Sequence, residues 1–193
     1  MTTLDHDAFM RLAIEEAERA RGSTGDNPWV GGVIADAAGT ILGRGHTRGP
    51  GEDHAEIGAF READASGRDV TGATLYSTLE PCSFHGRTPA CSRVIIERRI
   101  ARVVIAMNDP NPKVDGEGVR ILQRAGIEVV EHVCERAVRR QLGAWVFTYH
   151  PHEPARWARS LGDPPPADVI DRLVDRYDVD RVRAARAAPG SRA

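Results

Sequence analysis

The amino-acid sequence predicts one main domain of α/β fold without a membrane-spanning helix, and three observations support this prediction. The chain has 193 residues, of which 41% are hydrophobic, enough to bury one proper core and a small appendage. After an initial hairpin pattern, strand-like and helix-like segments alternate along the chain. No run approaches the roughly 20 apolar residues that a membrane-spanning helix needs. We therefore expect one main domain, with later strands mostly parallel and a site at their carboxyl ends.

The first third of the chain predicts a helix, a hairpin and a second helix. Apolar residues at helical spacing predict an opening helix over about residues 6–21; they are Phe9, Leu12, Ala13, Ala17 and Ala20. The segments "WVGGVIAD" and "TILGRGHT" are typical of two strands joined at "AAG". After the loop "RGPGED", a second helix is predicted from about His54 to Ala65.

The middle of the chain alternates regularly between strand and helix. Three strands are predicted at "TLYSTLE", "RVVIAMND" and "IEVVEHV", and three helices at about 89–99, 117–125 and 134–142. Past Gly143, the segment "HPHEPARWARSLGDPPP" is too rich in proline for a regular element. We therefore predict a main domain over 1–147 and an extension over 148–193, with one amphipathic helix at about 168–177 and a disordered end.

Charge and cysteine content argue against several classes of protein. The net charge is −2 and Lys113 is the only lysine, so the chain lacks the basic face of a nucleic-acid binder. The N-terminal segment "MTTLDHDAFMRLAIEEAERA" is acidic and amphipathic, unlike a signal peptide, and we expect a cytoplasmic protein without a membrane partner. With three cysteines in such a compartment, a disulfide framework is disfavoured, and a metal-binding or catalytic role gains weight.

The stretch "TLEPCSFHGRTPAC" contains two cysteines that could bind a metal. Thr88 is a candidate N-cap of the following helix, with Pro89 at its first position, which places Cys91 in the first turn. The free amides there favour a thiolate, the form that binds zinc. Cys82 follows the strand "TLYSTLE" and should lie close to the same helix start. The alternative interpretation is a pair of inert buried thiols.

The stretch "GEDHAEIGAF" offers a third ligand, His54, at the start of the other early helix, with Glu56 two residues on. In an alternative interpretation, Asp53 and Glu56 form a capping box and are purely structural, which leaves the histidine unexplained. His54, Cys82 and a second cysteine would leave the fourth tetrahedral position of a zinc ion open, as in catalytic rather than structural sites. Cys134 is interpreted as an ordinary residue at a helix start.

The sequence resembles the cytidine-deaminase-like zinc enzymes, and within them the deaminase domain of the riboflavin-biosynthesis deaminase-reductases, the diaminohydroxyphosphoribosylaminopyrimidine deaminases. The similar segments are "NPWVGGVI", "HAE", "GATLYSTLEPCSFHGRTPAC", "RVVIAMNDPNPKVDGEG" and "LQRAGIEV", and the eight residues between the cysteines are typical of the riboflavin branch. The resemblance implies a three-layer αβα sandwich with a central mixed sheet of about five strands. It also implies a homo-oligomer, either a dimer or a tetramer. It further implies these residue roles: zinc on His54, Cys82 and Cys91, proton transfer by Glu56, and a pyrimidine contact by Asn27.

The loop between the cysteines departs from the pattern of this branch. Phe84 stands where the branch carries a histidine expected to face the substrate, and His85 occupies the variable position beside it. Arg87 remains where the family has Arg or Lys and is a candidate contact to a substrate phosphate or ribose. Further on, Asp115 and Glu117 would repel a phosphate.

These patterns predict a zinc-dependent hydrolytic deaminase, acting on a C–N bond of a cyclic amidine in a small heterocycle. The substrate stays open between the riboflavin-pathway aminopyrimidine and a different heterocycle of specialised metabolism. The NADPH-dependent reductase domain of the family is not found in these 193 residues, so we expect deamination alone. A nucleic-acid deaminase would need a basic channel and stacking aromatics, but only 5% of the residues are aromatic. A non-catalytic zinc module would not need Glu56.

Overall fold

The computed structural model describes residues 4–83, 90–111, 114, 116–143 and 145–146. The chain divides into two units, Met1–Val138 and Arg139–Ala193. Nearly all of the second unit lies outside the described residues, and so does the predicted extension over 148–193. The predicted domain boundary therefore stays a prediction.

Five helices and five strands occur within the described residues, in the predicted order. Asp5 begins the first helix, because its carboxylate accepts a hydrogen bond from the Ala8 N–H at 3.1 Å. The elements are α1 (His6–Glu18), β1 (Gly31–Ala35), β2 (Ile41–His46), α2 (Ala55–Ala65), β3 (Thr74–Leu79), α3 (Cys91–Glu97), β4 (Arg102–Met107), α4 (Glu117–Arg124), β5 (Glu128–Val130) and α5 (Glu135–Leu142). None of the described helices has the length and hydropathy that crossing a bilayer requires.

The strands form one mixed sheet in the order β2-β1-β3-β4-β5. β1 pairs antiparallel with β2 and with β3, whereas the β3–β4 and β4–β5 pairs are parallel. Leu79 pairs with Met107, so β3 and β4 end at the same edge of the sheet. The α/β fold with an initial hairpin and parallel later strands is therefore confirmed, and the segments that follow β3 and β4 meet at one edge.

Helices cover both faces of the sheet. Gly31 in β1 faces α1, since a Cβ atom there would overlap the carbonyl oxygen of Ala13. The next residue, Gly32, faces α2, where a Cβ atom would lie 3.2 Å from the carbonyl oxygen of Ala55. Successive residues of a strand point to opposite faces, so α1 and α2 lie on opposite sides of the sheet. Further contacts link α2 to α3 and α3 to α4, which completes the three-layer αβα sandwich.

A hydrophobic core fills the layer between the sheet and helices α2 to α4. Its side chains come from every one of these helices and from four strands, so burial of the core depends on all of them docking together. The buried members are Ile34, Leu42, Ala59, Phe60, Ala63, Val70, Ala73, Leu75, Ile95, Ile100, Val103, Ile105, Val119, Leu122 and Ile127.

The outer edge of β2 is covered by two side chains. The guanidinium of Arg68 donates to the carbonyl oxygens of Ile41 and Leu42, at 2.9 and 3.3 Å. The carboxylate of Glu62 accepts from the Arg44 N–H at 2.6 Å. Backbone groups that an edge strand would leave unpaired are thus hydrogen-bonded within the chain.

The contact between α2 and β2 is close because it involves glycine and alanine. A Cβ atom at Gly43 would overlap the carbonyl oxygen of Ala59, and one at Gly45 would overlap the backbone of Ala55 and Ala59. Both overlaps are with helix backbone, which cannot move aside as a flexible side chain can. The missing side chains therefore set the distance between α2 and the hairpin.

We expect Gly45→Ala to lower the free energy of unfolding by about 1 to 3 kcal/mol, because the added methyl group must push α2 away from the sheet. Chemical denaturation of both proteins measures this difference. Gly49→Ala is a matched control, since a Cβ atom there would make an ordinary contact of 3.6 Å with Glu52. The control should stay within about 0.5 kcal/mol of the wild type. Equal losses in the two variants would contradict the packing explanation.

Candidate functional site

Three side chains suited to metal binding converge beyond the carboxyl end of β3. His54 immediately precedes α2 and is its N-cap residue. Cys82 follows β3 by three residues, and Cys91 is the first residue of α3. One ligand atom from each side chain lies within 4.8 Å of the other two. The structure thus brings the three predicted ligands together, while their binding of a metal stays a prediction.

The distances in this cluster fit a tetrahedral zinc ion. Nδ1 of His54 lies 3.6 Å from Sγ of Cys82 and 3.4 Å from Sγ of Cys91. With usual Zn–N and Zn–S bond lengths, a tetrahedral angle separates the nitrogen and a sulfur ligand by about 3.6 Å. One imidazole and two thiols are also a donor set that favours zinc over magnesium or calcium. Zinc therefore fits the residues present, with one coordination position not supplied by them.

The start of α3 differs from the sequence prediction. Instead of Thr88, the N-cap of this helix is Ala90, whose side chain cannot accept a hydrogen bond. Cys82 supplies the missing acceptors: its Sγ accepts from the Cys91 N–H at 3.2 Å, and its carbonyl oxygen accepts from the Ser92 N–H at 3.2 Å. Hydrogen bonding to Sγ favours the thiolate form of Cys82. Cys82, a candidate metal ligand, is therefore attached directly to the first turn of α3.

Glu56 lies in the first turn of α2 and is 3% exposed. A capping box would need Asp53 as the N-cap, but His54 holds that position, and Asp53 pairs with Arg61 at 2.8 Å. The capping-box interpretation is therefore wrong. Burial raises the pKa of Glu56 to about 6, although the charge of His54 acts in the opposite direction. A carboxyl group with such a pKa can both accept and release a proton near neutral pH.

The three candidate ligands strongly affect one another's protonation. The hydrogen bond to Cys82 raises the pKa of His54 to about 9, against the effect of burial. The hydrogen bond with Cys91 lowers the pKa of Cys82, and the same bond together with burial raises the pKa of Cys91. Negative charge thus concentrates on Cys82, beside the imidazolium of His54. Metal binding needs a neutral imidazole and two thiolates, so it should release protons.

Sequence reasoning missed two acidic residues next to this cluster. Glu80, at the end of β3, is 4% exposed, and its carboxylate accepts four backbone hydrogen bonds from the segment after β4. Burial raises the pKa of Asp109 to about 6; the hydrogen bond from the Asn111 N–H opposes this effect, while the charges of Glu80 and Cys82 add to it. The signal for Glu80 was a carboxylate directly after six buried strand residues.

The predicted substrate contacts are only partly described. Asn27 lies in the turn between α1 and β1 with its side chain exposed, and its backbone hydrogen-bonds to Thr24. Phe84, His85 and Arg87 lie outside the described residues. The roles of all four predicted contacts stay predictions.

Asp115 and Glu117, the acidic residues expected to repel a phosphate, lie near the start of α4. Asp115 lies outside the described residues. The carboxylate of Glu117 pairs with Arg120 at 2.7 Å and with Arg124 at 3.4 Å. Its negative charge is thus offset by two arginines of its own helix, which weakens the expected repulsion of a phosphate.

The chain belongs to the cytidine and deoxycytidylate deaminase zinc-binding family, whose sequence model matches residues 3–107. This confirms the resemblance found in the sequence. The riboflavin biosynthesis protein RibD of Aquifex aeolicus is 44% identical over 157 residues, which cover 79% of this chain and 43% of that protein. RibD of Escherichia coli is 48% identical over 126 residues, 65% of this chain and 33% of that protein. The chain therefore spans less than half the length of these relatives.

A solved structure supports the same relationship. The diaminohydroxyphosphoribosylaminopyrimidine deaminase/5-amino-6-(5-phosphoribosylamino)uracil reductase of Thermotoga maritima superposes with a TM-score of 0.70 and 41% sequence identity. The match covers 75% of this chain and 41% of that protein. The described fold is therefore that of the deaminase-like part of such a protein.

We expect Cys91→Ala to lose most of the zinc that the wild-type protein binds, because two ligands hold the ion far less tightly than three. Elemental analysis of the purified proteins gives the zinc content per chain. Cys134→Ala is the control, because Cys134 is not part of the cluster. A Cys91→Ala protein with full zinc content would remove this cysteine from the site.

Proposed function

We propose that the chain is a zinc-dependent hydrolytic deaminase of an aminopyrimidine-type small molecule, of the kind processed in riboflavin biosynthesis. The observation that carries this proposal is the cluster of His54, Cys82 and Cys91 with the buried carboxyl group of Glu56 beside it. Relatives at 44% and 48% identity that are named as riboflavin biosynthesis proteins support the aminopyrimidine class of substrate.

Each residue of the cluster has a distinct task in this proposal. His54, Cys82 and Cys91 would hold zinc, which when bound supplies water activation at neutral pH. Glu56 would accept a proton from the attacking water, deliver it to the ring nitrogen beside the amino-bearing carbon, and assist the departure of ammonia. Its pKa of about 6, raised by burial, suits both transfers. The open ligand position and the buried carboxyl group thus serve one hydrolysis.

The substrate contacts are also part of the proposal. Asn27 and the chain after Glu80 would hydrogen-bond the polar edge of the pyrimidine. Arg87 would contact a phosphate or ribose, and His85, in the same loop, would contact the substrate. Phe84 favours a second candidate, a deaminase of a different flat heterocycle, because a phenyl ring offers an apolar or stacking wall where the riboflavin branch has a histidine.

Two other classes of function are less well supported. A nucleic-acid deaminase would need a basic surface, whereas the net charge of this chain is −2. A non-catalytic zinc module gives no reason for a carboxyl group buried beside the three ligands.

A cytoplasmic homo-oligomer, a dimer or a tetramer, is further proposed. All three cysteines are free thiols, and a reducing compartment keeps the two at the site available to a metal. Self-association rests on the family resemblance, and light scattering during size-exclusion chromatography tests it.

We expect Glu56→Gln to keep the zinc and the fold but to lower turnover on the order of 100- to 10,000-fold, because an amide cannot transfer the proton. Ammonia release, zinc content and thermal unfolding measure the three properties. Glu97→Gln is the control, as this carboxylate is exposed on α3 and pairs only with Arg93 in the described structure. Full activity of Glu56→Gln would rule out the proposed proton transfer.

The role of Phe84 is tested on the ribosylaminopyrimidine phosphate of riboflavin synthesis. The second candidate predicts weak deamination by the wild type and a gain of about ten- to hundredfold in Phe84→His, because the imidazole can pair with a polar group that a phenyl ring leaves unpaired. Both proteins are compared by ammonia release at matched zinc content. Wild-type turnover equal to that of the variant would contradict the second candidate and assign the riboflavin intermediate as substrate.

A further inference from the structure

Glu80 is a buried carboxylate, and its burial requires compensating interactions. It is 4% exposed, and no ion pair to it occurs among the described residues. Burying a charged group is costly unless hydrogen bonds replace the lost water. The Glu80 carboxylate accepts such hydrogen bonds from backbone N–H groups. It therefore contacts a stretch of main chain and not one partner side chain.

The four amides belong to both ends of one segment. Oε2 of Glu80 accepts from the N–H groups of Asp109 and Gly116, at 3.2 and 3.1 Å. Oε1 accepts from the N–H groups of Gly118 and Val119, at 2.8 and 3.3 Å. The segment from Asp109 to Val119 leaves β4 and enters α4. One carboxylate therefore fixes the departure from the sheet and the start of the next helix.

The same short stretch of chain carries a candidate metal ligand. Cys82 lies two residues after Glu80 and is attached to α3 through the N–H groups of Cys91 and Ser92. Pro81 lies between Glu80 and Cys82 and contacts the backbone of Gly118. A Cβ atom at Gly118 would overlap the Pro81 carbonyl oxygen. Residues 80–82 thus contact α3 on one side and the segment 109–119, which includes the first turn of α4, on the other.

We propose that Glu80 is a positioning residue for the metal site: its carboxylate fixes residues 80–82 against the segment 109–119 and thereby holds Cys82 at the distance that a zinc ion requires. This inference rests on the proposed zinc binding, but not on any substrate. β3 ends at Leu79, and the Glu80 N–H still donates to the Met107 carbonyl oxygen at 3.0 Å, so Cys82 lies two residues beyond this bond to β4. Without the Glu80 carboxylate, residues 80–82 would keep the contacts to α3 and the hydrogen bond from the Glu80 N–H to the Met107 carbonyl oxygen, but would lose their hydrogen bonds to residues 109–119.

Zinc affinity and amide exchange test the proposal without a substrate. In Glu80→Gln, the amide nitrogen replaces one acceptor oxygen, so two of the four N–H groups lose their partner. We expect zinc affinity, measured by competition with a chromophoric chelator, to fall about 10- to 100-fold, as for other residues that support metal ligands. Hydrogen exchange in peptides covering 109–119 should speed up by about ten- to hundredfold.

Gly118→Ala disturbs the same junction from the other side and should give the same two changes. It also carries the test if Glu80→Gln does not fold. Val103→Ala is the control for lost stability, since this fully buried residue lies at the opposite end of β4. It should lower the unfolding temperature while leaving zinc affinity unchanged. The visible spectrum of the cobalt(II)-substituted proteins should shift in the two junction variants and stay constant in the control.

Each result decides between positioning and a purely structural role. Weaker zinc binding and an altered cobalt spectrum in both junction variants, but not in Val103→Ala, would support the proposal. Wild-type zinc affinity and cobalt spectrum in Glu80→Gln would overturn it, even if exchange is faster. A wild-type protein that binds zinc but releases no ammonia from any aminopyrimidine would overturn the proposed function and leave the role of Glu80 to be decided by these measurements.

Discussion

The close contact between α2 and the β1–β2 hairpin is the constraint on which the candidate site depends. Gly43 and Gly45 let the backbone of α2 approach the strand directly, at a distance that any larger residue would have to increase. His54 and Glu56 are attached to the first turn of this helix. Their positions relative to the sheet are therefore set by backbone contacts and not by the side chains themselves. The proton transfer proposed for Glu56 would need this kind of fixed geometry.

The two cysteines, the remaining candidate ligands, are held in different ways. Cys91 is held by α3, but Cys82 lies in a connection between elements and is fixed by the amides that it binds and by its neighbours. The parallel β3–β4 pair places the chain after β3, which carries Cys82, beside the chain after β4, since both strands end at the same edge. Helix packing thus positions the histidine and the acid, while loop hydrogen bonds position one thiol.

Sequence reasoning succeeded where a pattern is local and failed where the partner is distant in sequence. Alternating strand and helix patterns predicted the order of the elements, and the His-x-Glu and two-cysteine spacing predicted the cluster. The N-cap of α3 is Ala90 and not the predicted Thr88, and the acceptor for the Cys91 N–H is the Cys82 thiol, eight residues before Ala90. Glu80 was missed because its partners are backbone amides, which no residue type reveals. The roles predicted for Phe84, His85 and Arg87, in the loop between the cysteines, stay predictions from the sequence.

The covered edge of β2 has a consequence for how copies of this chain can meet. Arg68 and Glu62 occupy the backbone groups that a strand from another molecule would need. A second chain therefore cannot continue the sheet at this edge without first displacing both side chains. Protection of this kind limits edge-to-edge aggregation while the protein is at high concentration. Sheet extension at β2 would therefore require Arg68 and Glu62 to give up these hydrogen bonds first.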